Sequence, residues 1–116
     1  MSDKIDGAPM TSLEFIDSEL LRIRNYENNF DGEDSIAPPA ELVDSASRFF
    51  AQFESGLVPA PHRVSATVNQ TVLFEWYFPW FYHSLEFVSP SNAEATWIPK
   101  DATEAVTHEI NFATSG

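Results

Sequence analysis

An α+β fold, with two amino-terminal helices packed on one face of a four- to five-stranded antiparallel β-meander, is the architecture this sequence predicts. Three observations predict it. Apolar residues recur at helical spacing up to about residue 55 and at every second position from about residue 63. Short clusters of turn-forming residues separate the alternating stretches. The 116 residues are enough to bury one core, expected over residues 11–113, behind a flexible tail at 1–10.

The first helix is expected to start at Thr11, because T-S-L-E is a capping box with Glu14 placed to reach back to the cap. Leu13, Ile16, Leu20 and Ile23 form its apolar stripe, with Leu21 alongside. Asp17 and Glu19 lie toward its amino end, Arg22 and Arg24 toward its carboxyl end, as the helix dipole favours. Asn28-Asn29 is the expected stop. In the loop that follows, N-N-F-D-G-E-D-S-I-A-P-P, Asp31-Gly32 marks a turn and Pro38-Pro39 opens the second helix with a fixed φ. Asp31, Glu33 and Asp34 crowd this loop, but a calcium loop needs a D-x-D-x-D-G run and a distal Glu. No metal is expected there.

The second helix is expected over 40–55, with Leu42, Ala46, Phe49 and Phe53 as its stripe, Val43 and Phe50 widening it, and Gly56 just past its end. Each helix is apolar on one face and needs a surface to lie on. Phe49 and Phe53 are expected to meet the sheet. The linker L-V-P-A-P-H-R then leads into strands.

Residues 72–88, V-L-F-E-W-Y-F-P-W-F-Y-H-S-L-E-F-V, are too interrupted by Glu75, Pro79, His83 and Glu86 for the roughly twenty apolar residues of a spanning helix. No membrane segment is expected. Read as strands, a loop at Asn69-Gln70-Thr71 sets Val68, Ala66 and Val64 opposite Val72, Phe74 and Trp76. A corner at Phe78-Pro79-Trp80-Phe81 sets Trp76 beside His83, Phe74 beside Leu85 and Val72 beside Phe87. Ser-Pro-Ser-Asn at 89–92 turns again, 94–98 is a short strand with Trp97, and A-V-T-H-E-I-N-F is a fifth strand with Val106, Ile110 and Phe112 on one face. Most of the aromatic run is therefore core. Leu73, Tyr77 and Tyr82 point away from the helices and Trp80 sits on a hairpin tip, so this outer face is the candidate contact surface.

The sequence holds no Cys, G-x-S-x-G, Gly-rich phosphate loop or H-E-x-x-H. His83 and His108 are placed to approach Glu75 or Glu109, a pairing that is more often structural than catalytic. No catalytic residue and no cofactor is expected. MSDKIDGAPM lacks the apolar stretch of a secretion signal, and the absence of Cys fits a reducing cytoplasm.

The formal charge is −12, from eighteen acidic and six basic residues, which opposes direct binding to nucleic acid. Residues 1–60 hold twelve acids against four bases, a balance of −8; residues 61–116 hold six against two, or −4. The helical half is thus expected to carry most of the field. The expectation is a non-enzymatic acidic interaction protein that binds a basic protein surface, in the manner of an antitoxin, immunity protein or phage-type inhibitor of a nucleic-acid enzyme. Glu14, Asp17, Glu19, Asp31, Glu33 and Asp34 would steer the partner, and Tyr77, Trp80 and Tyr82 would anchor it. A small-ligand or peptide module using the aromatic outer face is the alternative, and a hydrolase with an unfamiliar site is a third.

The motif order N-N-F-D-G-E-D-S-I-A-P-P (28–39), A-S-R-F-F (46–50), V-L-F-E-W (72–76), L-E-F (85–87) and A-T-W (95–97) resembles a group of small bacterial proteins often carried in mobile or accessory DNA. Their pattern runs N-W-D-G-x-G-A-x-P, an A-x-x-F-L helix, a strand ending L-E-W and an L-E-I/F strand. The resemblance spans about residues 20–112. Here Phe30 replaces the Trp, and Glu33-Asp34 replaces small residues. The resemblance implies the same helix–helix–meander order and supplies no activity.

Overall fold

Thr11 opens helix α1 (Ser12–Arg24) through the expected capping box: its hydroxyl accepts from the Glu14 amide at 3.1 Å, and the Glu14 carboxylate accepts from the Thr11 amide at 2.9 Å. The computed structural model describes residues 11–33, 35–101 and 104–112; the expected tail at 1–10, Asp34 and residue 113 lie outside the described residues. Helix α1 stops at Arg24, short of Asn28-Asn29. The Asn25 amide turns back to the Arg22 carbonyl, and the Asn25 side chain donates to the Leu21 carbonyl at 3.1 Å, which satisfies the last turn early. Ile16, Leu20 and Ile23 are buried, while Leu21 faces solvent.

The loop from Asn28 to Pro39 is held by its own polar groups. The Asp31 carboxylate accepts from the Ser35 hydroxyl at 2.5 Å and from the Glu33 amide at 2.9 Å, and the Asn28 side chain accepts from the Ala37 amide at 3.1 Å. Gly32 has φ +78°, where an L side chain is strained even with open space around it. Helix α2 (Ala40–Phe50) follows, with Pro39 as its cap residue. It ends five residues earlier than its stripe predicts. Beyond Phe50 the amides of Gln52 and Phe53 reach back only three residues, to Phe49 and Phe50, and the tightened turn leaves Gly56 in a 3-10 turn at Ser55–Leu57. The deepest aromatic of α2 is Phe50. Phe49 is half-buried against Phe87, with ring centroids at 5.5 Å, and the exposed Phe53 packs on Phe49.

Five strands form one antiparallel sheet in chain order: β1 (Arg63–Ala66), β2 (Val72–Tyr77), β3 (Phe81–Ser89), β4 (Asn92–Pro99) and β5 (Val106–Asn111). Pairing of β2 with β3 follows the expected register, Trp76 opposite His83, Phe74 opposite Leu85 and Val72 opposite Phe87. The β1–β2 hairpin does not. Ala66 faces Val72 and Val64 faces Phe74, a shift of two residues. Thr67 and Thr71 close the loop, backbone to backbone at 3.0 Å and hydroxyl to hydroxyl at 2.5 Å, and Gln70 takes the left-handed conformation. A shift of two preserves every face. Only Val68 is expelled, to 69% exposure.

Three apolar rows cross the helix-side face: Ala66, Val72, Phe87, Ala93 and Ile110; Val64, Phe74, Leu85, Ala95 and His108; Trp76, His83, Trp97 and Val106. Helices α1 and α2 and these rows share one core that includes Ile16, Ile23, Val43, Phe50, Phe74 and Phe87. The indole of Trp76 donates to the Pro59 carbonyl at 2.9 Å, so the linker is tied to the core and the buried N–H is satisfied.

Candidate interaction surface

The outer face of the sheet, away from the helices, is ordered into three rows by the same register. The first is Tyr77, Tyr82 and Ile98. The second is Arg63, Glu75, Ser84, Thr96 and Thr107. The third is Leu73, Glu86, Glu94 and Glu109. Three glutamates from three successive strands thus stand directly opposite one another. Opposed residues lie about 4.5–5.5 Å apart at Cα, and like charges so placed are destabilising.

Glu75 is a different case. Its carboxylate accepts from the Tyr82 hydroxyl at 2.7 Å and the Tyr77 hydroxyl at 3.2 Å, with Arg63 at 3.9 Å. Burial, then the bond to Glu75, pushes the Tyr82 phenol up to about 12, and the same causes raise that of Tyr77. The two tyrosines, ring centroids 5.3 Å apart, are therefore fixed neutral aromatics. Trp80, on the β2–β3 corner, is 74% exposed.

The acid row has weaker ties. Glu86 accepts from the Thr71 hydroxyl at 2.6 Å and Glu109 from the Asn92 amide group at 2.9 Å. Among the described residues none of Glu86, Glu94 and Glu109 is ion-paired.

The acids expected on the helical half are arranged otherwise. Glu14 belongs to the cap of α1, Glu19 is paired with Arg22 at 2.5 Å, and Asp17 lies 3.5 Å from the Ser47 hydroxyl. Asp44 is paired with Arg24, and this bond holds its carboxyl below the usual range. Asp31 is likewise lowered, by the Ser35 hydroxyl first and the Glu33 amide second. Glu33 is exposed on the loop. The structure brings Tyr77 and Tyr82 together and leaves the helical and loop acids on separate elements. Glu86, Glu94 and Glu109 escape a linear reading because only strand register unites them. The signal was present in the alternation, which gives all three the same parity relative to their strands' apolar faces.

Among the described residues the histidines form no ion pair with a carboxylate. His83 lies on the helix side, opposite to Glu75, between Trp76 at 5.1 Å and Trp97 at 3.9 Å. Its Nδ1 is 3.0 Å from the Thr96 carbonyl oxygen, which can only accept, so Nδ1 donates. His108 is also on the helix side and Glu109 on the outer. Next to them opens a cleft of about 450 Å³, walled by Phe49, Phe53, Leu57, Trp97, His108 and Ile110. Among the described residues no group of His, Asp and Glu is arranged to hold a metal ion, and no helix is long and apolar enough to cross a membrane.

Compared with known proteins, the chain matches no family model, no curated protein and no solved structure.

Proposed function

We propose that this chain is a non-enzymatic acidic interaction protein whose outer sheet face binds a basic protein surface, as an antitoxin, immunity protein or phage-type inhibitor of a nucleic-acid enzyme does. The observation that carries the reading is the row Glu86, Glu94 and Glu109. Three opposed carboxylates lower the stability of the free sheet, and a cationic partner would relieve that repulsion. Tyr77, Tyr82 and Trp80, at the other end of the same face, supply rigid rings of the kind that dominate interface energetics. The −12 charge opposes direct nucleic-acid binding, and the partner is a protein. The exposed acids Asp17 and Glu33 add to steering and not to the contact itself.

The test is an affinity pull-down from the native host at low and high salt, with wild type beside a Glu86→Lys, Glu94→Lys, Glu109→Lys triple variant. A basic protein held by wild type at low salt, released at high salt and lost by the triple variant is the expected result. A partner held equally well by the triple variant would sink the reading, as would retention of nucleic acid alone.

A second reading rests on the hollow of about 320 Å³ between Tyr77, Phe78, Tyr82, Ile98 and Lys100. There the outer face would hold a small ligand or a peptide side chain. Trp80 fluorescence that responds to small aromatic acids, with no protein partner recovered, would favour it.

A further inference from the structure

The two edges of the sheet are built differently, and the phase of the backbone shows how. The Phe112 amide donates to the Ser91 carbonyl at 2.9 Å, in register with the β4–β5 pairing. Antiparallel pairs alternate between bonded and non-bonded residues. Val106, His108 and Ile110 therefore bond inward to β4, and Thr107, Glu109 and Asn111 turn their N–H and C=O groups to the free edge. Among the described residues no strand lies beyond β5. Three of the usual protections of an edge are missing: β5 contains no Pro, no Lys and no bulge.

At the opposite edge the same phase turns the Val64 backbone outward. There Arg22 reaches across from α1 and donates to the Val64 carbonyl at 3.3 Å. That edge is only four residues long. It is blunted, and β5 is not.

A strand added to β5 would meet two unlike surfaces. Its residues on the outer side extend the row that ends at Glu109, beside the Glu94 carboxylate. Its residues on the helix side extend the rows that end at Val106 and Ile110 and overhang the cleft walled by Trp97, Phe53 and Leu57, the last 72% exposed. Charge complementarity and apolar cover thus demand opposite chemistries on alternate positions.

Resting on the interaction reading above, we infer that the partner contributes an extended segment of alternating basic and apolar residues, which pairs with β5 as a sixth strand. Main-chain bonds to Thr107, Glu109 and Asn111 give the segment its hold, and alternate side chains give selectivity. Its Lys or Arg residues lie over the glutamate row, and its apolar residues close the cleft.

Titration of the wild-type chain with three blocked peptides, each the six-residue length of β5, tests this. One alternates Lys and Val; one has the same composition as a Lys block followed by a Val block; one alternates but is N-methylated at every residue. The alternating peptide is expected to bind about tenfold or more tightly than either control and to slow hydrogen exchange at the Thr107, Glu109 and Asn111 amides. Equal binding of the alternating and block peptides, both lost in the Glu86→Lys, Glu94→Lys, Glu109→Lys variant, would overturn strand addition and leave the basic-partner reading standing. No binding of any peptide would also overturn strand addition, whatever the pull-down returns. A pull-down partner indifferent to the triple variant would remove both. Protection of the same three amides that rises with protein concentration alone would show that a second copy of this chain takes the edge, and would overturn the inference too.

Discussion

The β1 end and the β5 end of the sheet use the same alternating chemistry to different ends. At β1, Val64 and Ala66 face helix α1, the edge carbonyl is capped by Arg22, and Tyr77 donates its amide to His62 Nδ1 at 3.0 Å. At β5, the helix-side residues Val106 and His108 stay exposed, and among the described residues no strand pairs with the outer edge. The difference teaches that two helices cover the sheet only as far as β3, the inner parts of β4 and Ile110. Small Ala93 and Ala95 are buried in the shared core, but Trp97 and Val106 stay exposed. One end is finished as a core, and the other is left as a surface.

The largest effect that follows separates the two ends by stability. Phe50→Ala removes a ring that packs on Phe74 and Phe87 and is expected to cost about 3–5 kcal/mol, read by denaturant unfolding. Val106→Ala, at the open end, is expected to cost within about 0.5 kcal/mol. Comparable losses at both sites would mean that the β5 end is as well packed as the β1 end. Next, Thr11→Ala removes the cap of the helix that covers β1. A loss of about 0.5–2 kcal/mol is expected, together with faster exchange of the β1 amides. Unchanged β1 protection would break the link between that cap and that edge.

A smaller effect has the opposite sign. Glu94→Gln relieves repulsion with Glu86 and Glu109 and is expected to raise stability by about 0.2–1 kcal/mol, while weakening the partner complex. A destabilised Gln variant would show that the row is not repulsive in the free chain. The last effect is confined to alkaline pH. Because the folded Tyr82 phenol titrates near 12, above its ordinary 10, the folded chain keeps a proton that the unfolded chain loses. Its contribution is complete below pH 10 and lost as pH rises through 12. Ultraviolet titration of the phenols, with Tyr82→Phe as reference, checks this; a Tyr82 midpoint at 10 would mean the Tyr–Glu75 cluster is open.

The acidic loop offers a parallel lesson. Asp31 is one of three loop acids expected to steer a partner, yet its carboxylate is engaged by the Ser35 hydroxyl and the Glu33 amide and sets the turn before α2. A linear sequence records charges but not their partners. Similarly, two of the twelve acids in the first sixty residues are held in ion pairs, Glu19 with Arg22 and Asp44 with Arg24, while among the described residues Glu86, Glu94 and Glu109 form a row without one.

By itself the sequence determined the order of elements, the two faces of the sheet, the start of α1 and the β2–β3 register. Those features depend on local periodicity, on one cap and on a corner whose proline leaves little choice. The folded structure decided where α1 and α2 stop, because the carbonyls of their last turns are taken by bonds from residues only three or four positions away, which the apolar stripe does not record. It decided that the β1–β2 hairpin closes on Thr67 and Thr71, since moving by two residues costs no face and gains paired hydroxyls. It also decided that Glu86, Glu94 and Glu109 meet, and that β5 is the last strand among the described residues, beside the cleft of Phe53, Leu57 and Trp97. Contacts between residues distant in the chain are fixed by packing, and no period in the sequence encodes them.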